Sequence, residues 1–308
     1  MAAQRTVGAG ALTAHVDALA ALEASTGLFL RPFVTPCFST LAFTAMTLTL
    51  RKLALSLLSL TALVSGATHA SGVLEQIERT KKVRIAIPTD YPPYGMVGID
   101  MKPQGLDIDM ARYVAGKLGA KAELIPVVSA NRVPYLQTGK VDIVISTLGK
   151  TEERAKVVDF SHSYSPFFQA LFAPKALAIK DWNDLSGKTI SVTRGAMADA
   201  ELTKVAPAGA QIRRFEDHIA TVSAFVTGQV QAIATSAGEG DAIKKQAAKL
   251  DSELKLILKV SPNFIGVAKG EAALLERINA IVLEAKQNGE LDRLSKKWLG
   301  QPAGDLPR

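Results

Sequence analysis

Hydrophobic residues from Val83 onward occur in short apolar runs that alternate with amphipathic segments. The run VRIAIP, from Val83 to Pro88, is rich in β-branched residues and predicts a buried strand. Alternation of strands and helices predicts an α/β architecture with a largely parallel sheet. The same pattern predicts strands over AELIPV (Ala122 to Val127) and VDIVIS (Val141 to Ser146), and helices over Asp107 to Leu118 and Arg132 to Thr138.

A second alternating unit follows the first and predicts a second lobe. Its predicted strands are TISVTR (Thr189 to Arg194), QIRRF (Gln211 to Phe215) and VQAIAT (Val230 to Thr235). We place one lobe at residues 71–172 together with 262–308, and the other at residues 173–261. The extended apolar segments 167–175 and 254–269 are expected to supply two strands that cross between the lobes. Two lobes joined by two crossovers enclose a cleft, which is a preferred position for a ligand.

Residues 46–70 have the pattern of a secretory signal peptide. Arg51 and Lys52 precede LALSLLSLTALV, twelve uncharged residues, and a stretch of small and polar residues then ends at Ala70. This apolar run is shorter than the ~20 residues that a membrane-spanning helix requires. We therefore predict export to the periplasm with cleavage near Ala70. Residues 1–45 are interpreted as an artefact of the start-site assignment or a disordered extension, with translation starting at Met46.

Composition and charge exclude several classes of protein. The chain is 48% hydrophobic and 21% charged, which excludes global disorder and allows one or two cored domains. Its net charge of +7 is spread over pairs such as Lys81-Lys82 and forms no basic stripe interleaved with aromatic residues, so nucleic-acid binding is not expected. The single cysteine, Cys37, excludes a disulfide framework. The four histidines lack metal-binding spacing, and we expect neither a metal nor a cofactor.

A short loop in the first unit has the features of an anion site. Thr147-Leu148-Gly149 ends a predicted strand and is followed by KTEER, which predicts the first turn of a helix. Free backbone N–H groups at such a helix start attract anions. Arg154 adds a guanidinium that can pair with a carboxylate through two parallel hydrogen bonds. On the residues alone, Arg154 beside Glu152 and Glu153 is more typical of a surface ion pair.

The segment GLDIDMARYVAGKL, Gly105 to Leu118, resembles the signature of family 3 of the extracellular solute-binding proteins, the amino-acid-binding components of ABC importers. The resemblance extends over Val83 to Leu299, and VVSANRVPYLQTGKVD is most similar to the glutamate/aspartate-binding branch. It implies a two-lobed periplasmic binding protein of type II that is not an enzyme. Such a protein closes on its ligand by a hinge motion and presents it to an ABC permease, and we expect a monomer. Within the signature, Asp107 is predicted to cap a helix and Asp109 to lie in its first turn.

The resemblance also implies roles for single residues. Arg154 matches the family's arginine for the ligand's α-carboxylate, beside Thr147 and Gly149 of the same loop. The other matching residues are Arg132 and Ser129 near a distal carboxylate, His218 close to the ligand, Tyr91 as an aromatic wall, and Met197 in the second-lobe loop that begins at Gly195.

Ser236 departs from the family pattern, because the family commonly has an aspartate there that receives the ligand's ammonium group. A serine hydroxyl cannot neutralise a buried cation. Either Glu239 or another acidic group takes this role, or the ligand has no α-ammonium. The arginine that the acidic-amino-acid branch has in the first turn is also missing.

The sequence thus predicts capture of a small polar solute that bears a carboxylate, with an amino acid as the leading candidate. Two alternatives stay open. One is a dehydratase of the same fold acting on a cyclic acid, with Glu239 or His218 as the general acid or base. The other is a sensory ligand-binding module.

Overall fold

The computed structural model describes residues 72–307, which belong to one compact unit, Thr68–Arg308. The predicted signal peptide, the segment 1–45 and Cys37 lie outside the described residues and stay predictions. In the described range, no helix has the length and hydrophobicity needed to span a bilayer. The same range contains no group of three or more acidic, histidine or cysteine side chains that could hold a metal ion.

The first half of this unit contains four helices and seven strands. In chain order they are α1 (Val73–Thr80), β1 (Lys82–Ile87), β2 (Asp90–Tyr91), β3 (Gly95–Val97), β4 (Pro103–Gln104), α2 (Leu106–Lys117), β5 (Lys121–Pro126), α3 (Arg132–Gln137), β6 (Ile143–Leu148), α4 (Glu152–Ala155) and β7 (Val158–Ser165).

The second half continues the alternation and ends on two helices. In chain order it contains β8 (Phe168–Pro174), β9 (Thr189–Thr193), α5 (Met197–Val205), β10 (Gln211–Phe215), α6 (His218–Val226), β11 (Ala232–Ser236), α7 (Ala237–Gln246), β12 (Ser252–Val260), β13 (Asn263–Ala268), α8 (Ala272–Gln287) and α9 (Glu290–Leu299). Short 3₁₀ turns occur at Ser129–Asn131, Trp182–Leu185 and Ala248–Leu250.

The strands form two five-stranded sheets of the same design. The first sheet has the order β5-β1-β6-β13-β7 and the second has the order β10-β9-β11-β8-β12. In each sheet three strands run parallel, and two strands are joined to the sheet by antiparallel pairing. A small sheet, β2-β3-β4, lies in the connection from β1 to α2. The predicted α/β class is confirmed, with antiparallel strands at one side of each sheet.

The chain passes between the two sheets twice. β7 ends in the first sheet at Ser165 and β8 begins in the second at Phe168, while β12 ends at Val260 and β13 begins in the first sheet at Asn263. Because β8 pairs only with second-sheet strands, we propose lobe boundaries at residues 166 and 262 in place of 172 and 262. The apolar run of β8 is buried along most of its length, so hydrophobicity alone did not show which sheet contains it.

Each sheet has a separate apolar core. The first sheet packs around Ile85, Ile108 and Ile145, to which α8 adds Ile278. The second sheet has one cluster on each face, around Val192 and around Phe225. Helix α8 packs on β7 and α9 packs on α2, so the last two helices return to the first lobe. Loops that follow the parallel strands of the two sheets face one another across the boundary, where Arg154 contacts Gly195 and Ser129 contacts His218.

Candidate ligand-binding site

Arg154 connects the two lobes directly. Its Nη1 donates to the carbonyl oxygen of Gly149 at 2.9 Å, and its Nη2 donates to that of Gly195 at 3.0 Å, in the loop before α5. The Thr151 hydroxyl accepts a hydrogen bond from the Arg154 N–H and caps α4. Burial, and then the charge of Arg132, lower the pKa of Arg154 to about 10, so it stays cationic at neutral pH. The surface ion pair that the sequence also allowed for Arg154 is not among the ion pairs of residues 72–307.

Arg132 is a second cationic group, and it is buried with only 3% of its surface exposed. It begins α3, and its Nε donates to the Ser146 hydroxyl at 3.1 Å. Its Nη2 has no hydrogen-bond partner among the described residues, and no ion pair of the described chain includes it. Desolvation lowers the pKa of Arg132, while the charge of Asp90 is the largest effect that raises it. A buried guanidinium with free N–H groups is a binding site for an anion.

The loop between the two arginines is held in an uncommon backbone conformation. Thr147 has a φ of +43°, in the left-handed region that β-branched residues seldom adopt. Its N–H donates to Asp107 Oδ2 at 2.7 Å, and the Tyr164 hydroxyl donates to Asp107 Oδ1 at 2.7 Å. The Thr147 hydroxyl is buried and has no partner within the described range. Asp107 therefore fixes the loop that presents Gly149 and the start of α4.

The predicted cap at Asp107 is wrong. The N-cap position is occupied by Gly105, which has no side chain to cap the helix. Asp107 lies inside the first turn and has no exposed surface. Desolvation raises the pKa of Asp107 to about 7, against the effect of its hydrogen bonds. Asp109 does lie in the first turn, where it accepts hydrogen bonds from Lys297 and Trp298 of α9.

His218 is the main polar contact between the lobes apart from Arg154. Its ring stacks on Tyr91 with the centroids 3.5 Å apart, and its Nε2 lies 3.2 Å from the Ser129 hydroxyl. Its backbone N–H donates to Asp90 Oδ2 at 2.9 Å. Burial lowers the pKa of His218 to about 3, so the ring is neutral. Tyr91 is therefore stacked on His218, and its role as an aromatic wall for the ligand stays a prediction.

Ser236 and Glu239 begin α7 as a capping pair. The Ser236 hydroxyl accepts a hydrogen bond from the Glu239 N–H at 3.2 Å, and the Ser236 N–H donates to the Tyr91 hydroxyl at 3.3 Å. Glu239 is 1% exposed, and its Oε2 accepts a hydrogen bond from the Thr235 hydroxyl. Its Oε1 has no partner in the described structure, and desolvation raises the pKa of Glu239 well above the usual value. The carboxyl group near Ser236 is therefore buried and favours its protonated form.

Met197 of α5 covers Gly149 across the lobe boundary. Met197 is 3% exposed, and a Cβ atom added at Gly149 would lie 2.1 Å from its Cε. A larger residue at position 149 would therefore force the end of the Met197 side chain to move.

Gly149→Ala is expected to weaken ligand binding by roughly 5- to 150-fold, because overpacking of about 1–3 kcal/mol would oppose lobe closure. Isothermal titration calorimetry of the variant measures this change. Gly149→Ala combined with Met197→Ala should recover most of the affinity. Gly116→Ala is the matched control, because a Cβ there meets nothing within 4 Å. Equal affinities for Gly149→Ala and the control would show that this contact does not limit closure.

All nine predicted binding residues lie at or beside the lobe boundary, and the structure connects most of them through direct contacts. They are Arg154, Thr147, Gly149, Arg132, Ser129, Tyr91, Met197, Ser236 and His218. The sequence reasoning missed Asp90 and Tyr164, which hold His218 and Asp107. The only local signal for Asp90 was its place in the proline-rich turn of residues 90–94, next to Tyr91, and no local pattern pointed to Tyr164.

Comparison with known proteins finds many related solute-binding proteins. The sequence model of the bacterial extracellular solute-binding proteins, family 3, matches residues 83–301. The ABC transporter glutamine-binding protein GlnH of Bacillus subtilis is 31% identical over 234 residues, which cover 73% of this chain and 84% of GlnH. The L-glutamate/L-aspartate-binding protein of Pseudomonas aeruginosa is 27% identical, with 77% of this chain and 82% of that protein covered. The glutamate/aspartate branch is thus one of several related branches.

A solved structure with the same fold is an ancestral amino acid-binding protein, AncCDT-1, described as a precursor of cyclohexadienyl dehydratase. It is 30% identical, has a TM-score of 0.67, and the alignment covers 73% of this chain and 98% of that chain.

Proposed function

The chain belongs to family 3 of the bacterial extracellular solute-binding proteins, and from this membership we propose that it captures an amino acid for an ABC importer. It is a solute-binding protein, as its relatives are. We further propose that it acts in the periplasm after cleavage near Ala70, as a monomer, and delivers its ligand to a membrane permease. The glutamine- and glutamate/aspartate-binding relatives support an amino acid as the ligand.

The observation that carries this proposal is the pair of guanidinium groups at the lobe boundary. Neither Arg132 nor Arg154 has an anionic partner among the ion pairs of residues 72–307. Burial lowers the pKa of both guanidinium groups. Two cations that share one site without a counter-ion are best stabilised by a carboxylate-bearing ligand. Arg154 uses two of its five N–H donors on carbonyl groups, so it retains donors for that carboxylate.

Closure of the lobes accounts for capture without chemistry on the ligand. The two crossings near residues 166 and 262 are the segments that can bend. When the lobes approach each other, Arg154 and His218 form hydrogen bonds between them. A ligand that contacts both lobes binds the closed arrangement more tightly and therefore shifts the population towards it. No step of this mechanism breaks a covalent bond.

A thermal-shift experiment tests the proposal with a panel of amino acids, dicarboxylates, keto acids and cyclic acids. A ligand at about 100 times its Kd stabilises a protein by about 2.7 kcal/mol, which raises the Tm of a chain of this size by roughly 5–11 °C. Stabilisation by an amino acid supports the importer function. Stabilisation only by acids that lack an amine contradicts an amino-acid ligand.

The likeness to a dehydratase precursor favours one alternative, an enzyme that acts on a cyclic acid. Glu239, which is buried beside His218 and whose raised pKa favours its protonated form, is the group that would act as the general acid. Conversion of a cyclic acid by the purified protein, lost in Glu239→Gln, would establish this activity, and absence of conversion supports binding alone.

Ser236→Asp is expected to increase the preference for α-amino acids over the matching keto acids by about tenfold or more, because a carboxylate would replace a neutral hydroxyl near Tyr91. Aspartate is also a good helix N-cap, so α7 should keep its start. The ratio of the two Kd values measures the effect. Ser186→Asp, on the exposed surface, is the matched control. An unchanged ratio would place the ammonium group elsewhere.

A further inference from the structure

A cavity of about 580 Å³ lies where the chain first crosses between the lobes, and we call it the hinge cavity. The turn after β2 and the end of α9 line it from the first lobe, α7 lines it from the second, and the crossing at residues 166–168 joins them. Cavities of roughly 300–1,000 Å³ are typical of small-molecule sites. None of the nine residues predicted to bind the carboxylate-bearing solute lines this cavity, and neither do Asp90 and Glu239. The hinge cavity is therefore separate from the cleft.

Flat and rigid side chains form much of the wall of the hinge cavity. The rings of Tyr94 and Phe167 meet edge to face, with their centroids 5.1 Å apart. The face of α7 adds the small residues Ala237, Gly238 and Ala242, which leave room beside the rings. Aromatic ligands pack on such walls in offset and edge-to-face arrangements. The aromatic and proline residues of the wall are Tyr94, Phe167, Phe168, Trp298, Pro92, Pro93 and Pro166.

The charged groups of the hinge cavity balance one another. Lys297 donates a hydrogen bond to Asp109 Oδ2 at 2.7 Å, and the indole N–H of Trp298 donates to the same oxygen at 2.9 Å. Asp241 and Lys245 lie one turn apart on α7 and carry opposite charges. The lining therefore offers no surplus charge to an ion, in contrast to the two guanidinium groups of the cleft. Charge complementarity selects a neutral occupant for this cavity.

We propose that the hinge cavity is a second binding site, which holds a small neutral aromatic compound with one hydrogen-bond donor, such as an indole or a phenol. The ring lies among the aromatic and proline side chains, where its burial stabilises the complex. Its N–H or O–H donates to the carboxylate of Asp241.

The occupant of the hinge cavity contacts both lobes and the crossing between them. It therefore binds most tightly to the arrangement in which the lobes are joined, and it shifts the population towards that arrangement. Because the two sites share this preference, the aromatic compound strengthens capture of the solute in the cleft. This coupling rests on the proposed function, whereas binding in the hinge cavity does not.

Calorimetric titration of the purified protein with indole tests the site. We expect saturable binding with a Kd in the millimolar range or tighter, and binding of cyclohexanol at least about tenfold weaker because it lacks the aromatic ring. Ala242→Phe places a ring inside the cavity from α7 and should abolish indole binding. Ala200→Phe, at an exposed position on α5, is the matched control and should bind indole as the wild type does.

An exposed residue keeps the test decisive if Ala242→Phe does not fold. Asp241→Ala should weaken binding of indole by about two- to tenfold and leave binding of 1-methylindole, which has no N–H, unchanged. The site is overturned if cyclohexanol binds as tightly as indole, or if Ala242→Phe and Asp241→Ala both bind indole as the wild type does. Loss of indole binding in Arg154→Ala would place indole in the cleft and overturn it as well.

Small-angle X-ray scattering tests the coupling without any solute in the cleft. Saturation with indole should shift the radius of gyration of the protein towards the value for the joined lobes. An unchanged radius of gyration would overturn the coupling. If the protein binds indole but no amino acid, the proposed function fails and the hinge cavity stands as a site.

Discussion

Replacing Arg154 by alanine is expected to weaken binding of the amino-acid ligand by at least about a hundredfold while the protein stays folded. The change removes the cation proposed to pair with the ligand's carboxylate, and truncating one partner of a buried charge pair costs about 2–5 kcal/mol. It also removes both hydrogen bonds that join Gly149 to Gly195 through the guanidinium. Calorimetric titration with the amino acid that gives the largest thermal shift measures the loss.

The stability of Arg154→Ala should change little. The guanidinium is partly exposed, and its desolvation opposes the gain from its hydrogen bonds. Arg293→Ala is a matched control, because Arg293 is an exposed arginine that pairs with Glu290 on α9. We expect wild-type affinity from the control. Wild-type affinity in Arg154→Ala itself would show that the carboxylate binds elsewhere.

Asp107→Ala should produce the largest loss of stability of any substitution considered for the binding loop. It leaves the Thr147 N–H and the Tyr164 hydroxyl buried without their acceptor. Each orphaned group costs about 1–3 kcal/mol, so we expect about 2–6 kcal/mol in the free energy of unfolding. Urea denaturation followed by circular dichroism measures this value. Asp109→Ala, from the same helix turn but partly exposed and ion-paired, should cost only about 0–1 kcal/mol.

Asp107→Asn separates the shape of this residue from its charge. The folded pKa of about 7 lies above the usual value of 3.8, so the contribution of Asp107 to stability is greatest at low pH and is lost as the pH rises through about 7. Asparagine stays neutral throughout. The Tm of Asp107→Asn relative to the wild type should therefore rise between pH 5 and pH 8. A difference that does not depend on pH would mean that Asp107 is ionised in the folded protein at both values.

Residue patterns predicted most strands of the two sheets, but β7, with the sequence VDFSHSYS, was missed because it has no apolar run. The strand predicted from Val83 to Pro88 is observed at Lys82–Ile87, and the strand predicted from Gln211 to Phe215 has those bounds. The lobe boundary was harder to place. Sequence periodicity shows that β8 is buried but does not show with which strands it pairs.

The sequence named residues that the structure brings to the lobe boundary, but it did not show the contacts between them. Arg132 and Arg154 were identified from the family resemblance, but a pattern at a helix start does not show that Arg132 is buried. Asp107 was misread as a helix cap because its partners lie 40 and 57 residues away along the chain. Local rules describe neighbours within a turn or two, and these contacts exist only after the sheet has formed.

The bonds that join the lobes through His218 and Arg154 belong to the protein itself, and they contribute to closure whichever solute is held. Affinity and solute preference are therefore set by different contacts, even where one residue makes both kinds. The groups that contact the solute determine the order in which solutes are preferred. The lobe-to-lobe bonds multiply every affinity by a common factor. Substitutions that change only a lobe-to-lobe bond would therefore shift the concentration range over which solute is bound and leave the order of preference unchanged.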